Sequence, residues 1–531
     1  MQIVLLVIAA LVGSTCCASA EPISTFIGLT ALISSVFGAS AAVAGAIGGV
    51  IVGGALSVGL NYAAKLLTPS TGSAQIQSQT APPAANSPES RMSTRQSAPP
   101  KRIPYGIVHA GGALVLEECK PPYLYRTYVI ANEEIDGLEA IYLGTQQLSF
   151  ASLTPNTILT PIAVDGQPNF PGRLRVCFRV GKTDQAACPL AMAGFPNLGS
   201  TWRQRGCATV TVECHFGADN DEHQALWGIS GDPEFLFVMR GIKEYDPRDP
   251  TQDRDDPSTW KFSRNPTIAQ NDYLRRDFGG RLTPEKIPYD EVALDADWDD
   301  GLVACLDGTF IPRYTLDGMV TLNQSPSDVL GQMQTANRGR LVQSSGFVWC
   351  ASSRPKTSVA TIYDAILTGG IHYEAGKAKR DSANFVQTRF IAPDREYNLS
   401  DGPPYTVTAD EVSDGEKLPA TLQFPFTRDH RTVQRLSKAW YDTSRLGKVL
   451  TAPVDIRILA EATDQLPNNP ITFDCELFPK QAGVWMVGQM TLGDSYASIN
   501  LDLSQYSASI ETDWIATRDE KPFTIADLDV S

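Results

Sequence analysis

Histidine is scarce in this 531-residue sequence, with five in all. Neither a His-Glu-x-x-His pattern nor a Gly-x-Ser-x-Gly elbow is present. A nucleophile needs a neighbouring base and a group that orients it, so these absences remove the common hydrolase arrangements. Gly493-Asp494-Ser495 echoes a lipase-like block, but no histidine follows it. Phosphate-cradling glycine loops are also missing. So is clustered positive charge: 44 basic residues are scattered among 59 acidic ones, for a net charge of -15. Gripping phosphate needs concentrated Lys and Arg, so sequence-specific nucleic acid binding is not expected. The ten cysteines include no Cys-x-x-Cys pair. Cys207 and Cys214 bracket a β-prone run at an odd spacing that sends them to opposite strand faces, against both a local disulfide and a joint metal site. Free thiols that behave as small apolar residues in a reducing cytoplasm are the expectation. No enzyme, catalytic residue or cofactor follows from these features.

Two stretches resemble ion sites. Cys214, His215 and His223 surround the acidic Asp219-Asn220-Asp221-Glu222, where a metal would require a fold-back across strand faces. A polar hairpin loop is the simpler reading. Asp295-Ala296-Asp297-Trp298-Asp299-Asp300-Gly301 sets carboxylates in what reads as a tight acidic turn, an oxygen-rich arrangement that suits calcium. Its glycine falls one position late, however, and its twelfth residue is Leu306 where a bidentate Glu belongs. A solvated turn therefore competes with a calcium loop, and no metal ligand is assigned.

Charge is wholly absent from Pro22 to Ala64, a length that allows one or two bilayer-spanning helices. Gly45, Gly49 and Gly53 recur every fourth residue there and would lay a flat helix-packing or membrane seam on one face. Met1 to Ala20 is uncharged too, and Cys17-Ala18-Ser19-Ala20 before Glu21 resembles a signal-peptidase site, yet no Lys or Arg precedes the apolar run. A removed leader, a membrane anchor, a flexible apolar tail and helices packed inside an assembly all remain open. We take residues 1–66 as an apolar, helical N-terminal segment. Residues 67–100, rich in Ser, Pro, Ala, Gln and Thr, are a linker.

At this length one core is not enough, and a hydrophobic content of 43% can fill several. Apolar residues then alternate in the two-residue rhythm of strands, as in Arg173 to Val180 and Phe235 to Ile242. Tyr245-Asp246-Pro247-Arg248 closes the second of these with a turn. Asn265 is placed to cap a helix with Pro266 at its first position, and Gly279-Gly280 to end it. Ser325-Pro326-Ser327-Asp328 is another helix start. Thr361 to Leu367 reads as a short helix, Thr432 to Leu446 as an amphipathic one, and Val454 to Ala460 as a strand. The fold class is α+β, mainly β. Its expected divisions are a first β-rich domain at 101–250, a mixed α/β middle at 251–374 and a second β-rich domain at 375–531.

Several of these words occur together in one known family. K-E-Y-D-P-R (Lys243 to Arg248), then W-K-F-S-R-N-P (Trp260 to Pro266) and D-Y-L (Asp272 to Leu274), then F-G, resemble the central segment of the host-specificity (J-type, lambda-like) tail-hub proteins of long-tailed bacteriophages. P-Y-G-I-V-H-A-G-G (Pro104 to Gly112), I-D-G-L-E-A-I-Y-L-G (Ile135 to Gly144), P-R-Y-T-L-D-G-M-V-T (Pro312 to Thr321) and G-F-V-W-C-A-S-S-R-P (Gly346 to Pro355) continue the likeness in order. It covers residues 100 to 520; the first hundred are closer to the small tail-assembly protein encoded beside the hub.

The resemblance implies a structural virion protein: a baseplate or tail-tip hub with two β-rich hub domains, closing the distal end of the tail tube. It further implies a homotrimer, neighbours among other tail-tip proteins, the distal tail ring and the tape-measure protein, and a part in host attachment and DNA ejection. Contact with the host membrane would go through the N-terminal segment. Tyr245, Asp246, Pro247, Arg248, Asn265 and Pro266 are the family-motif turn. Where lambda-like hubs continue into fibronectin-type modules and a receptor-binding tip this sequence stops, so receptor recognition by the chain itself is not expected. The competing expectation is a secreted or membrane-anchored bacterial surface protein, with Met1 to Ala20 as signal and Pro22 to Ala64 as anchor.

Overall fold

Period-two runs of β-branched and aromatic residues give the chain its frame, and two antiparallel sheets come first. One orders Ala113–Lys120, Tyr123–Ala131, Ala208–His215 and Leu174–Arg179. The other is built on Phe235–Glu244, which pairs with Ile135–Leu143, with Ile107–Ala110 and with Lys261–Phe262. Their inner faces pack Tyr128, Ile130, Phe178, Val210, Phe237 and Met239 into one core. The computed structural model describes residues 93, 95, 99–163, 170, 172–217, 219–227, 233–376, 382–395, 397–493 and 497–523. All of these belong to one compact unit, Thr71–Ser531.

A second core lies among three helices and a hairpin. The central helix Pro266–Arg275, the acidic helix Tyr289–Asp300 and the helix Pro326–Gln334 pack with the strand pair Arg340–Ser344 and Phe347–Ala351. Beyond it, a six-stranded sheet runs in the order Thr361–Ile362, Pro470–Phe473, Gly483–Leu492, Ser498–Gln505, Val449–Asp455, His372–Glu374. A three-stranded sheet of Asn398–Thr406, Phe385–Ala392 and Pro419–Phe424 carries the long helix His430–Leu446, whose Val433 and Leu436 meet Phe390 and Phe424. Asp429 caps that helix by accepting from Arg431 N at 2.7 Å, and Gly447 at φ +61° ends it in the left-handed region that a side chain would disfavour.

The mainly β, mixed architecture is as expected, but strand pairing crosses two of the expected divisions. Arg102–Tyr105 pairs with Gly318–Thr321, tying the start of the first β-rich stretch to the middle one. Thr361–Ile362 and His372–Glu374 form the two edges of the sheet assigned to the last stretch. Several local expectations fail. Asp295 to Asp300 is helix, not a turn, because Val292 and Ala296 supply an inward apolar face that carboxylate spacing alone does not reveal. The stretch after His215 folds as the helix Asn220–Trp227 where a hairpin loop was expected. Asp219 accepts from Glu222 N at 2.8 Å, which is capping geometry. Thr361 to Leu367 splits into a strand and a 3-10 turn, and Val454 to Ala460 leaves its strand at Asp455 to enter a short helix. The central helix ends at Arg275, before Gly279 and Gly280. Gly45, Gly49 and Gly53, with all of 1–66, lie outside the described residues, as do Asp494 and Ser495. Among the described residues no helix is long and apolar enough to cross a membrane.

Candidate functional site

The segment that carries the family words is a strand, a turn and a helix held by buried polar contacts. At the turn, Asp246 Oδ1 accepts from the Arg248 backbone N–H at 3.0 Å, closing an Asx turn. The Arg248 side chain folds back on the same carboxylate, donating from Nε to Oδ1 at 2.9 Å and from Nη2 to Oδ2 at 2.7 Å. It also reaches Asp297 at 3.1 Å and Asp300 at 2.8 Å on the acidic helix. One planar guanidinium thus joins the turn to a second element; burial works to lower its pKa, but Asp246 and Asp300 outweigh it and hold the value above the usual arginine range. Tyr245 sets its ring edge-on to Tyr289 of the same helix at 5.3 Å.

Asn265 does two jobs. Its Oδ1 accepts from Ile268 N at 3.1 Å as the helix cap, and its Nδ2 donates to Ala296 O at 2.8 Å. Pro266 follows at the first helical position, where an amide proton has no partner to find. Nine of the helix's ten residues are buried, including Thr267, Gln270, Asn271 and Asp272, so no face is free for solvent. Each polar side chain therefore has to find protein partners. Asn271 brackets Cys350, donating to its carbonyl at 2.9 Å and accepting from its N–H at 3.0 Å. Gln270 donates to Met333 O and to Asn337 Oδ1. Asp272 accepts from the Tyr105 hydroxyl at 3.1 Å and from Arg276 Nε at 2.9 Å.

The acidic run that sequence suggested for calcium is divided between two faces of its helix. Asp297 and Asp300 face Arg248. Asp295 and Asp299 are fully buried. Asp295 accepts from Arg354 Nε at 2.7 Å, and Asp299 gathers Thr267 N–H, the Thr267 hydroxyl, Asn337 Nδ2 and the Ser352 hydroxyl. Burial pushes the Asp299 carboxyl up to about 7, with those hydrogen bonds opposing the rise. Glu244, at the end of its strand, is fully buried, and neither carboxyl oxygen has a hydrogen-bond partner among the described residues. Desolvation and then the neighbouring Asp272 charge hold it well above the usual carboxylate range, while Arg276 pulls the other way.

Close backbone approach explains two further words. In Pro104-Tyr105-Gly106, Gly106 has φ +64°, and a Cβ there would stand 2.0 Å from Leu316 O. Gly241 of the crossing strand donates to Gly106 O at 2.7 Å, and its own Cβ would lie 2.2 Å from Pro104 O. Only glycine fits either place. Asp317, just after Leu316 and fully buried, accepts from Ile107 N at 2.8 Å and from Arg264 through Nε at 2.9 Å and Nη2 at 2.6 Å. Sequence reasoning singled out neither Asp317 nor the Thr267, Asn271, Asn337 and Ser352 set. Asp317-Gly318 inside the Pro312 to Thr321 motif was the available signal.

What this arrangement can do is hold four elements rigidly. An open polar hollow of about 310 Å³ is lined by Arg389, Arg395, Leu399, Ser400 and Asp401, none of them a motif residue. Near the other ion candidate, His215 Nδ1 meets Arg173 at 2.8 Å and His223 Nδ1 meets Phe216 O at 3.0 Å, so the two rings are engaged separately. Among the described residues no three His, Cys, Asp or Glu side chains converge on a metal position.

No family model and no curated protein matches the chain at a significant level. Solved structures do. A chain from the virion of the native gene transfer agent particle aligns over 88% of this chain and 97% of its own, at 12% identity and a TM-score of 0.54. The tail protein from Neisseria meningitidis MC58 aligns over 79% and 97%, at 10% identity and a TM-score of 0.30. The 43 kDa tail protein of prophage MuSo2 from Shewanella oneidensis aligns over 77% and 95%, at 9% identity and a TM-score of 0.29. Scores of that size carry no structural argument; the first does, and this chain shares its fold with a chain of the gene transfer agent virion.

Proposed function

We propose that this protein is a structural component of a phage-type tail: the central hub at the tail tip, present in three copies and closing the distal end of the tube. The observation that carries the reading is the fold shared with a virion chain over most of both lengths. The ordered family words support the finer assignment, and the geometry around them suits it. A tube end must keep its shape under load, and a helix buried on all sides and cross-linked by charged and amide side chains resists sliding better than one held by grease alone. The role proposed is non-enzymatic.

In this reading the β-rich parts at 101–250 and 375–531 face neighbouring subunits and the distal tail ring, so that three chains present six similar surfaces to the tube. The segment Pro22 to Ala64 lies beside the tape-measure protein inside the tail. It packs through Gly45, Gly49 and Gly53, and enters the host membrane on DNA ejection. Antibody labelling of purified particles, combined with the intact mass of the virion-derived chain, tests the proposal. Label confined to the tail tip and a chain that retains Met1 are expected. Label elsewhere on the particle would overturn it. So would a chain beginning at Glu21 on the bacterial surface, the outcome of the surface-protein alternative.

A further inference from the structure

A second, much smaller hollow lies between the long helix His430–Leu446 and the short helix Ser509–Thr512. It measures about 10 Å³, and Arg313, Arg435, Lys438, Glu511, Asp513 and Trp514 are among the residues that line it. That size suits one guest as small as a water or a monatomic ion, and excludes an oxyanion. Its walls are rich in donors. Arg435 is only 4% exposed, and its Nη2 donates to Arg313 O at 2.8 Å and to Thr432 Oγ1 at 3.0 Å. Its Nε and Nη1, the Nε of Arg313 and the indole Nε1 of Trp514 are buried with no hydrogen-bond partner among the described residues. All four are nitrogens that can only donate, so what they lack is an acceptor.

Negative charge at the hollow is already claimed by others. Glu511 pairs with Arg338 and accepts from the Tyr314 hydroxyl at 3.5 Å. Asp513 pairs with Arg518 at 3.0 Å and lies 3.8 Å from Lys438, which itself holds Asp442 at 2.6 Å. Arg313 and Arg435 make no ion pair among the described residues. Arg313 instead donates to the Glu511 backbone carbonyl at 3.2 Å and lies over the Trp298 ring at 3.9 Å. Burial lowers the Arg435 pKa, as it must for a cation with no carboxylate against it.

We propose that this hollow binds one halide ion, chloride under ordinary conditions, held by Arg435, Arg313 and the Trp514 indole N–H. A guanidinium does not shed its proton, so a buried one without a counter-ion is costly to the fold. Water answers this poorly: it accepts from two donors at most, and brings two protons that need acceptors of their own. A halide accepts from several directions at once and supplies the missing negative charge. Its donors come from the long helix, from Arg313 and from Trp514 just after the short helix. The ion therefore fastens the C-terminal stretch onto the long helix. This inference stands apart from the tail-hub reading and needs no particle.

The test uses the full, unaltered chain in two measurements. Crystals grown in sodium bromide are expected to show one bromide anomalous peak in contact with Arg435 and Trp514. In solution, amide exchange at Asp513 and Trp514, whose N–H groups bond Ser509 O and Thr512 O, is followed in chloride, bromide or gluconate at equal ionic strength. Chloride at ten times its dissociation constant is expected to slow that exchange about tenfold, by linkage, with bromide acting alike and gluconate without effect. Exchange in the distant strand Ala208–His215 should not respond. Trp514→Phe keeps the ring but loses the indole N–H, and is expected to raise the chloride concentration for half-protection about fivefold. Water in place of the bromide peak would overturn the proposal. So would equal protection by gluconate, or a peak without halide-specific protection, which would mark an adventitious ion only. The deciding results come from the chain with Arg313, Arg435 and Trp514 intact, so a misfolded variant cannot mask them.

Discussion

The central helix Pro266–Arg275 and the long helix His430–Leu446 are both mostly buried, yet the contacts that hold them differ in emphasis. The long helix lays Val433 and Leu436 on a sheet, against Phe390 and Phe424. Its polar side is covered afterwards by the C-terminal stretch, where Gln434 donates to Lys521 O at 3.1 Å and accepts from Lys521 N at 2.7 Å. The central helix puts amides, hydroxyls and carboxylates inward on nearly every turn and pairs most of them with other elements, as at Asn271 and Asp272. Apolar contacts are forgiving of small shifts; hydrogen bonds are not. The difference is one of proportion: the long helix also buries Arg435 and Ser437, which donate to Arg313 O and Val433 O, but its sheet-facing side is apolar.

The sharpest way to break that comparison is Asn271→Ala. It strands the N–H and carbonyl of Cys350 inside the core and is expected to cost about 4 kcal/mol, read as a loss of folding free energy in urea. Its counterpart, Leu436→Ala, leaves a cavity under the long helix and is expected to cost about 3 kcal/mol. The two should part further on rescue. Leu436→Met should recover most of the loss, whereas Asn271→Leu, equal in bulk but without hydrogen bonds, should recover little.

A pH series sharpens the contrast. Asp299 ionises near 4 when unfolded and at about 7 when folded, so its ionisation opposes the fold. There is no penalty below the unfolded value; the penalty grows as pH rises through the window and stays constant above about 7. From this group, stability at pH 5 should exceed that at pH 8 by roughly 2–3 kcal/mol. Glu244 adds in the same direction. Amide exchange in the central helix should report the slope, that in the long helix should not, and Asp299→Asn should flatten it. The smallest effect belongs to the surface end of the network. Asp246→Ala with Arg248→Ala removes a half-buried bidentate pair and should cost about 1 kcal/mol in the isolated chain.

These two helices also show what was readable in advance. The long helix announced itself by spacing, since Val433, Leu436 and Ala439 recur at helical intervals. The central one was legible at its start, from Asn265 and Pro266, because capping is local chemistry. Its inward polar residues were not, since nothing near Asn271 in sequence says that Cys350 will lie beside it. The Asp295 to Asp300 run misled for the same reason: carboxylates in a row look like a solvated turn until Arg248 and Arg354 arrive from elsewhere in the chain. Thr361 and Ile362 became a strand because Thr472 and Phe473 offered an edge, which is tertiary override of a weak local preference. Gly106 and Gly241 are backbone constraints that only the close approach of Leu316 O and Pro104 O reveals.

A symmetry-free reconstruction of the tail tip from intact particles tests the central claim most directly. The expected density holds three copies of this chain in one ring at the distal end of the tube, with the Pro266–Arg275 helix inside each subunit. A single copy, a sixfold ring, or a tail tip in which this chain has no density would contradict it.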